Sequence, residues 1–258
     1  MERITESVTS ADGTRIVYHV QGEGAPLVIV HGTLAPADTY YPLADLLAPH
    51  YRVVLVERRE YGVSGNGPRP LDFARQAADL AAVLDTMGEP GFVFGHSCGG
   101  VVALHALLES VQVRRVALYE PPVALAGTAL ATTLDKARDR MTAGRPGDAI
   151  VEFFETILDS APSAGMLDGM ASMLAPRAHG LVADLECFTG MDPDLSRWST
   201  LDVPALLLSG ELTDSYGTKS IDLLQQTIPN ARTITFPGLG HTFDDPEPVA
   251  EALREFFV

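Results

Sequence analysis

Gly91-Phe92-Val93-Phe94-Gly95-His96-Ser97-Cys98-Gly99-Gly100 is the stretch that decides how the rest of this chain is read. It opens as a short apolar strand over Gly91–Phe94, and from Cys98 the apolar residues fall at helical spacing as far as Glu109. Ser97 lies between the two, on a sharp strand-to-helix turn. Such a turn exposes the hydroxyl above the sheet edge, and the following helix aims its N-terminus at any negative charge that develops there. The glycines at 95 and 99 let neighbouring backbone pass without a Cβ clash.

The segments to either side alternate between strand and helix. Arg3–Ser10 and Arg15–Val20 alternate apolar and polar residues around the turn pair Asp12-Gly13. Pro26–Val30 (PLVIV) and Arg52–Val56 (RVVLV) are continuous apolar runs, suited to parallel strands buried on both faces. Helices are expected at Tyr41–Leu47 and Phe73–Met87, and a strand at Arg115–Tyr119. Further on come the strand Ala205–Leu208, a helix near Lys219–Thr227, the strand Arg232–Phe236 and a last helix, Pro248–Phe257. This order predicts an α/β fold with a mostly parallel central sheet and helices on both faces. Between Pro121 and Asp202 the strand signals stop. The segment reads as helical, broken at Gly144-Arg145-Pro146-Gly147, Ala161-Pro162-Ser163 and Met191-Asp192-Pro193. The expected organisation is a core formed by residues 1–120 and 203–258, with a helical lid, residues 121–202, inserted after the sixth strand.

Of the 258 residues 46% are hydrophobic, enough for a sizeable core, and 18 Lys+Arg against 34 Asp+Glu give a net charge of −16. That balance argues against nucleic-acid or anionic-membrane partners, which require basic surfaces. The first twenty residues lack a basic region followed by an apolar core, and no apolar run approaches the roughly 18 residues of a membrane span. Two cysteines, Cys98 and Cys187, do not suggest a disulfide framework. A cytoplasmic enzyme with a small-molecule substrate is the expectation. No histidine pair has metal-ligand spacing, and Gly217-Thr218-Lys219-Ser220 lacks the earlier glycine of a phosphate loop. Neither a metal nor another cofactor is expected.

With its strand–turn–helix around Ser97, the chain resembles the α/β-hydrolase superfamily over nearly its whole length apart from the helical insertion. Three more segments carry the resemblance. His31-Gly32-Thr33 follows the first buried strand, where the family has a His-Gly loop. Glu57-Arg58-Arg59-Glu60-Tyr61-Gly62-Val63-Ser64 is similar to its acidic-Arg-x-Gly-x-Gly-x-Ser turn, with Glu60 in place of a glycine. Pro237-Gly238-Leu239-Gly240-His241 is similar to the turn that carries its catalytic histidine. The resemblance implies Ser97 as nucleophile, His241 as general base, and the backbone N–H groups of Thr33 and Cys98 as an oxyanion hole. Of the other histidines, His31 and His96 read as packing or turn residues, with His96 pointing away from the site. His19, His50, His105 and His179 read as ordinary strand, loop and helix residues.

The acid that orients His241 stays open. The family's usual aspartate would stand where Thr213 does, three residues past Gly210. Asp214 comes one residue late. Glu120, in ALYEPP, ends the preceding strand, where some relatives, including one branch of the haloalkane dehalogenases, carry their acid. Glu211 is a third possibility. Five of the seven methionines lie in or beside the insertion, and Phe153, Phe154 and Phe188 fall there too. Most of these read as glue between helices and sheet, while some could line an adaptable apolar pocket over Ser97. The expected reaction is hydrolysis of a small to medium, largely apolar ester, lactone or other acyl compound through an acyl-enzyme. Cofactor-free haloperoxidase or perhydrolase chemistry, C–C bond hydrolysis, a lyase or cyclase step, and a non-catalytic receptor are the alternatives, because fold alone does not separate them.

Overall fold

The computed structural model describes residues 2–109, 111–160 and 162–258. Along the chain run β1 (Ile4–Thr9), β2 (Arg15–Gln21), β3 (Pro26–Val30), α1 (Tyr41–Leu47), β4 (Arg52–Glu57), α2 (Phe73–Thr86), β5 (Gly91–His96), α3 (Cys98–Ala106) and β6 (Val113–Tyr119). Four α-helices follow, α4 (Ala131–Thr142), α5 (Pro146–Ile157), α6 (Ala164–Leu174) and α7 (Ala178–Gly190). The chain ends with β7 (Ala205–Gly210), α8 (Ser215–Thr227), β8 (Arg232–Phe236) and α9 (Glu247–Phe256). The eight strands form one sheet in the order β1-β2-β4-β3-β5-β6-β7-β8. β2 is antiparallel to both of its neighbours, and all other pairs are parallel.

The apolar runs of β3 and β4 serve both faces at once. Leu27, Ile29, Val53 and Leu55 point to the side covered by α1 and α9, and Val28, Val30, Val54 and Val56 to the side covered by α2, α3 and α8. That period-two division is why these strands read as unbroken hydrophobic runs. Between β6 and β7 the described residues form helices and no strand, and their apolar faces (Leu134, Ile150, Leu174, Leu181) join the same cluster as α2 and α3. Pro146 sits in the first turn of α5, where its missing N–H costs nothing, and Ser163 caps α6 by accepting the Met166 N–H. Of the break expected at residues 161–163, Ala161 lies outside the described residues. No helix among the described residues is long and apolar enough to cross a membrane.

Two helix ends depart from the sequence reading by more than one residue. α3 stops at Ala106 instead of reaching Glu109, with Leu107 as its C-cap. α8 begins at Ser215, ahead of the Lys219 that periodicity suggests. Its extra turn is held from a distance: the Asp159 carboxylate accepts both the N–H and the hydroxyl of Ser215 at 2.6 Å. A cap supplied by the α5–α6 connection leaves no local signature in the sequence around α8.

Candidate active site

β5 lies mid-sheet between β3 and β6, so the loops leaving the C-terminal ends of all three converge. Such a place, where the strand order reverses, is where open α/β sheets put their ligands. Ser97 takes φ +51° and ψ −126° at the mouth of α3, the strained turn expected of it. Only glycine fits at 99, because a Cβ there would meet the Val30 carbonyl oxygen at 2.2 Å. The Ser97 hydroxyl donates to His241 Nε2 at 3.0 Å, although the two residues are 144 positions apart.

On the far side of the ring, His241 Nδ1–H donates to Glu120 Oε2 at 2.6 Å. Glu120 is fully buried, and its carboxylate accepts from two further donors. The Gly210 N–H reaches Oε1 at 2.7 Å and the Thr213 hydroxyl reaches Oε2 at 2.6 Å. Thr213, at the position where the family's aspartate would stand, therefore supports the carboxylate at the end of the neighbouring strand. Glu120 itself sits at φ +46°, a conformation that non-glycine residues adopt at a cost of about 1–3 kcal/mol where tertiary contacts over-determine them. Asp214 occupies the N-cap position of α8 but turns its carboxylate to the Asp159 N–H at 2.9 Å. Glu211 accepts from the Gly238 N–H. Among the described residues, the carboxylate hydrogen-bonded to His241 is that of Glu120.

His96 does not point away, contrary to the expectation. It lines the cavity over Ser97, donates from Nε2 to the His241 carbonyl at 2.9 Å and accepts the Tyr40 hydroxyl at Nδ1. Tyr40 in turn accepts the Gly32 N–H at 3.1 Å, so this chain of bonds ties the His241 backbone to the loop after β3. Tyr119 steadies the same turn through the Gly240 carbonyl at 2.7 Å. The backbone N–H groups of Thr33 and Cys98 have no acceptor among the described residues, and Thr33 lines the cavity beside Ser97. The Cys98 side chain is buried behind the turn, with its sulfur 3.5 Å from the Arg58 guanidinium.

That cavity encloses about 340 Å³. Ser97, His96 and His241 share it with Phe153, Phe154, Met170, Met173 and Phe188 from the inserted helices, so the sharper reading of the Met and Phe residues holds for these five. Met191 and Trp198 are buried core, while Met166 and His179 are exposed away from it. Arg177 is the only Lys or Arg in the lining among the described residues. A larger cleft of about 570 Å³ lies at the opposite end of the sheet, near Arg115 and Arg232, and contains none of these groups. No three His, Cys, Asp or Glu side chains among the described residues are grouped to hold a metal ion.

The model of the alpha/beta hydrolase family matches residues 27–252. The chain belongs to the alpha/beta hydrolase family. An alpha/beta hydrolase from Sphaerobacter thermophilus DSM 20745 superimposes with a TM-score of 0.85 and 30% identity, covering 98% of this chain and 100% of that one. The pimeloyl-[acyl-carrier protein] methyl ester esterase of Xanthomonas campestris pv. campestris (strain B100) is 28% identical over 92% of this chain and 96% of its own length. An esterase from Exiguobacterium antarcticum shares the fold at 19% identity, with a TM-score of 0.81 over 98% of this chain and 99% of that one. At Glu60 the hydrolase departs from the family pattern in residue but not in backbone. Glu60 takes φ +68°, the conformation for which glycine is the usual choice, and its carboxylate pairs with Arg69 at 3.1 Å.

Sequence reasoning missed a buried ionic cluster beside the site. The Arg58 guanidinium makes a bidentate pair with Asp184 of α7 (2.7 and 2.8 Å) and also bonds Gln76, all within the interior. Burial works against the Asp184 carboxylate, but the Arg58 charge and the hydrogen bonds from Arg58 and Tyr61 outweigh it and hold its pKa below the usual range. Removing one partner of such a pair costs about 3–5 kcal/mol, because the other charge is left buried. The available signal was two consecutive arginines at the end of an apolar strand, where a buried charge requires a partner.

Three histidines are held neutral by burial. The pKa of His31 is pushed down to about 3 and that of His105 to about 4, with nearby arginines adding to the effect of burial in both; His96 is driven well below the ordinary value by burial and then by His241. A folded pKa below the unfolded value of about 6.5 means that the unfolded chain binds more protons between the two, so each histidine's stability contribution is lost as the pH falls through that window. Glu57 and Asp79, raised by burial, act in the opposite direction over their own range. The urea midpoint is expected to fall from pH 7 to pH 5. His105 stacks on Phe73, abuts Trp198 and leaves Nε2 without a partner among the described residues. His105→Phe should therefore stabilise the protein at pH 5 and flatten its pH dependence by up to about 1.4 kcal/mol per pH unit. Urea titrations of both proteins at the two pH values measure this, and an unchanged slope would exclude His105 as a contributor.

Proposed function

We propose that this hydrolase cleaves small to medium, largely apolar carboxylic esters through an acyl-enzyme, with Ser97 as nucleophile, His241 as general base and Glu120 as the orienting acid. The observation that carries the reading is the continuous hydrogen-bonded chain Ser97–His241–Glu120 on the floor of an apolar cavity. Serine needs an adjacent base because its hydroxyl is a poor nucleophile at neutral pH. Nε2 of His241 takes the proton as Oγ attacks the ester carbonyl, and the buried Glu120 carboxylate stabilises the imidazolium that forms. The Thr33 and Cys98 amides hold the oxyanion, aided by the N-terminus of α3. The imidazolium then protonates the departing alcohol. Water, deprotonated by the same nitrogen, releases the acid and restores the serine.

Residues 121–202 act as a lid over a core of residues 1–120 and 203–258, supplying the apolar walls that keep bulk water from the acyl-enzyme. A cavity of about 340 Å³ is near the lower end of the roughly 300–1,000 Å³ usual for small-molecule sites, which favours a compact acyl group. The single Arg177 offers no cluster to clamp a phosphate or diphosphate.

Incubation with a fluorophosphonate probe is expected to label Ser97 stoichiometrically, and p-nitrophenyl acetate and butyrate should be turned over until the probe is added. Protein that stays unlabelled would overturn the serine-nucleophile reading. Labelling without ester turnover would favour lyase, cyclase or C–C bond chemistry at the same triad.

A further inference from the structure

We propose that Asp184, on the inserted helix α7, is a positioning residue that aims the Thr33 N–H at the reacting oxygen. The inference rests on the reading of residues 31–34 as the oxyanion loop. That loop has no regular secondary structure of its own and is held by side chains. Gly32 O accepts from His31 Nδ1–H at 2.8 Å and from Arg58 Nη2 at 3.3 Å. The Arg58 N–H donates to His31 Nε2 at 3.1 Å, which sets that ring's tautomer. The Leu34 N–H donates to the Tyr61 hydroxyl at 3.2 Å.

The geometry of the peptide unit turns these bonds into a direction. Gly32 C=O and Thr33 N–H belong to one planar trans peptide, so they point opposite ways. Whatever fixes the carbonyl also fixes the amide. Arg58 and His31 pull the carbonyl into the protein, and the Thr33 N–H is left facing the cavity.

Asp184 stands behind both braces. Its two oxygens engage both terminal nitrogens of Arg58 and so lock the guanidinium plane, a fork-to-fork geometry that a single charge contact could not enforce. Oδ2 also accepts the Tyr61 hydroxyl at 2.7 Å, which orients the lone pair offered to Leu34. The Tyr61 ring can lie this close because α7 carries Gly180, one turn before Asp184. A Cβ there would fall 2.3 Å from the ring. The docking of an inserted helix thus decides where an amide of the core points, and Asp184 touches neither substrate nor Ser97.

An oxyanion donor contributes in the transition state more than in the ground state, so misaiming it lowers kcat and leaves KM. Asp184→Asn and Tyr61→Phe are to be compared with the wild type in ester kinetics per fluorophosphonate-titrated serine, together with affinity for phenylboronic acid, whose serine adduct places an oxygen in the hole. For Asp184→Asn kcat should fall about 10- to 100-fold with KM within about two-fold, and boronate affinity should fall in parallel. Tyr61→Phe, which keeps the Arg58–Asp184 pair, should lose about three- to ten-fold with the same split. If Asp184→Asn does not fold, Tyr61→Phe decides alone. Unchanged kcat per titrated serine with unchanged boronate affinity, or a rise in KM alone, would overturn the proposal. Wild-type turnover tests the esterase reading separately, because boronate binding reports the hole whether or not an ester is the natural substrate.

Discussion

Ser97→Ala is expected to lower ester turnover by about 10⁵- to 10⁶-fold while the protein stays folded. In the proposed mechanism the residue acts through one atom. Among the described residues its hydroxyl makes a single side-chain hydrogen bond, to His241, and does not cap α3. Alanine would keep the same φ +51° turn and the Cβ that packs against Gly32, so the stability change should stay within about 1 kcal/mol. Turnover per folded molecule, together with the melting temperature, separates the two effects. Residual activity above one part in a thousand would mean that another group attacks the substrate.

Glu120→Gln should cost about 10⁴-fold in kcat, against no more than two- to three-fold for Asp214→Asn. Glu120 accepts from Nδ1–H of His241, and that acceptance leaves Nε2 without a proton, as the proposed mechanism requires. An amide nitrogen placed at Oε2 would donate instead, favouring the tautomer with its proton on Nε2, where it blocks Ser97. It would also oppose the Thr213 hydroxyl, which already donates to that oxygen. Asp214 bonds the Asp159 N–H through one oxygen, a bond that asparagine reproduces. Parallel measurements of kcat and melting temperature on the two variants check this. Equal, mild losses would remove Glu120 from the proposed mechanism.

The elements that proved most legible were those whose information is local. Pro26–Val30, Tyr41–Leu47 and Arg232–Phe236 have the ends that the sequence suggests, because an apolar run flanked by turn residues defines a buried strand or helix with few alternatives. The Ser97 turn was legible for a related reason: strand, glycine spacing and helix are contiguous, and its strain is written into residues 95–99. The start of α8 was not, since its cap comes from Asp159, 56 residues away in sequence. Nor was the inward orientation of His96, which depends on Tyr40 and on the His241 carbonyl across the sheet.

What the amino-acid sequence by itself determined is the α/β order of elements, the strained serine and the histidine-bearing turn, all readable from periodicity and short-range turn chemistry. What only the tertiary structure decided is which carboxylate meets His241 and what holds the loop at residues 31–34. On paper Glu120, Asp214 and Glu211 all stand as candidate acids, with Thr213 at the position where the family's aspartate would be. The register of β6 against β7 brings Glu120 under the ring and leaves Thr213 to donate to it. Asp184 carries no local signature at all, because a buried charge is explained only by the partner that long-range packing brings to it.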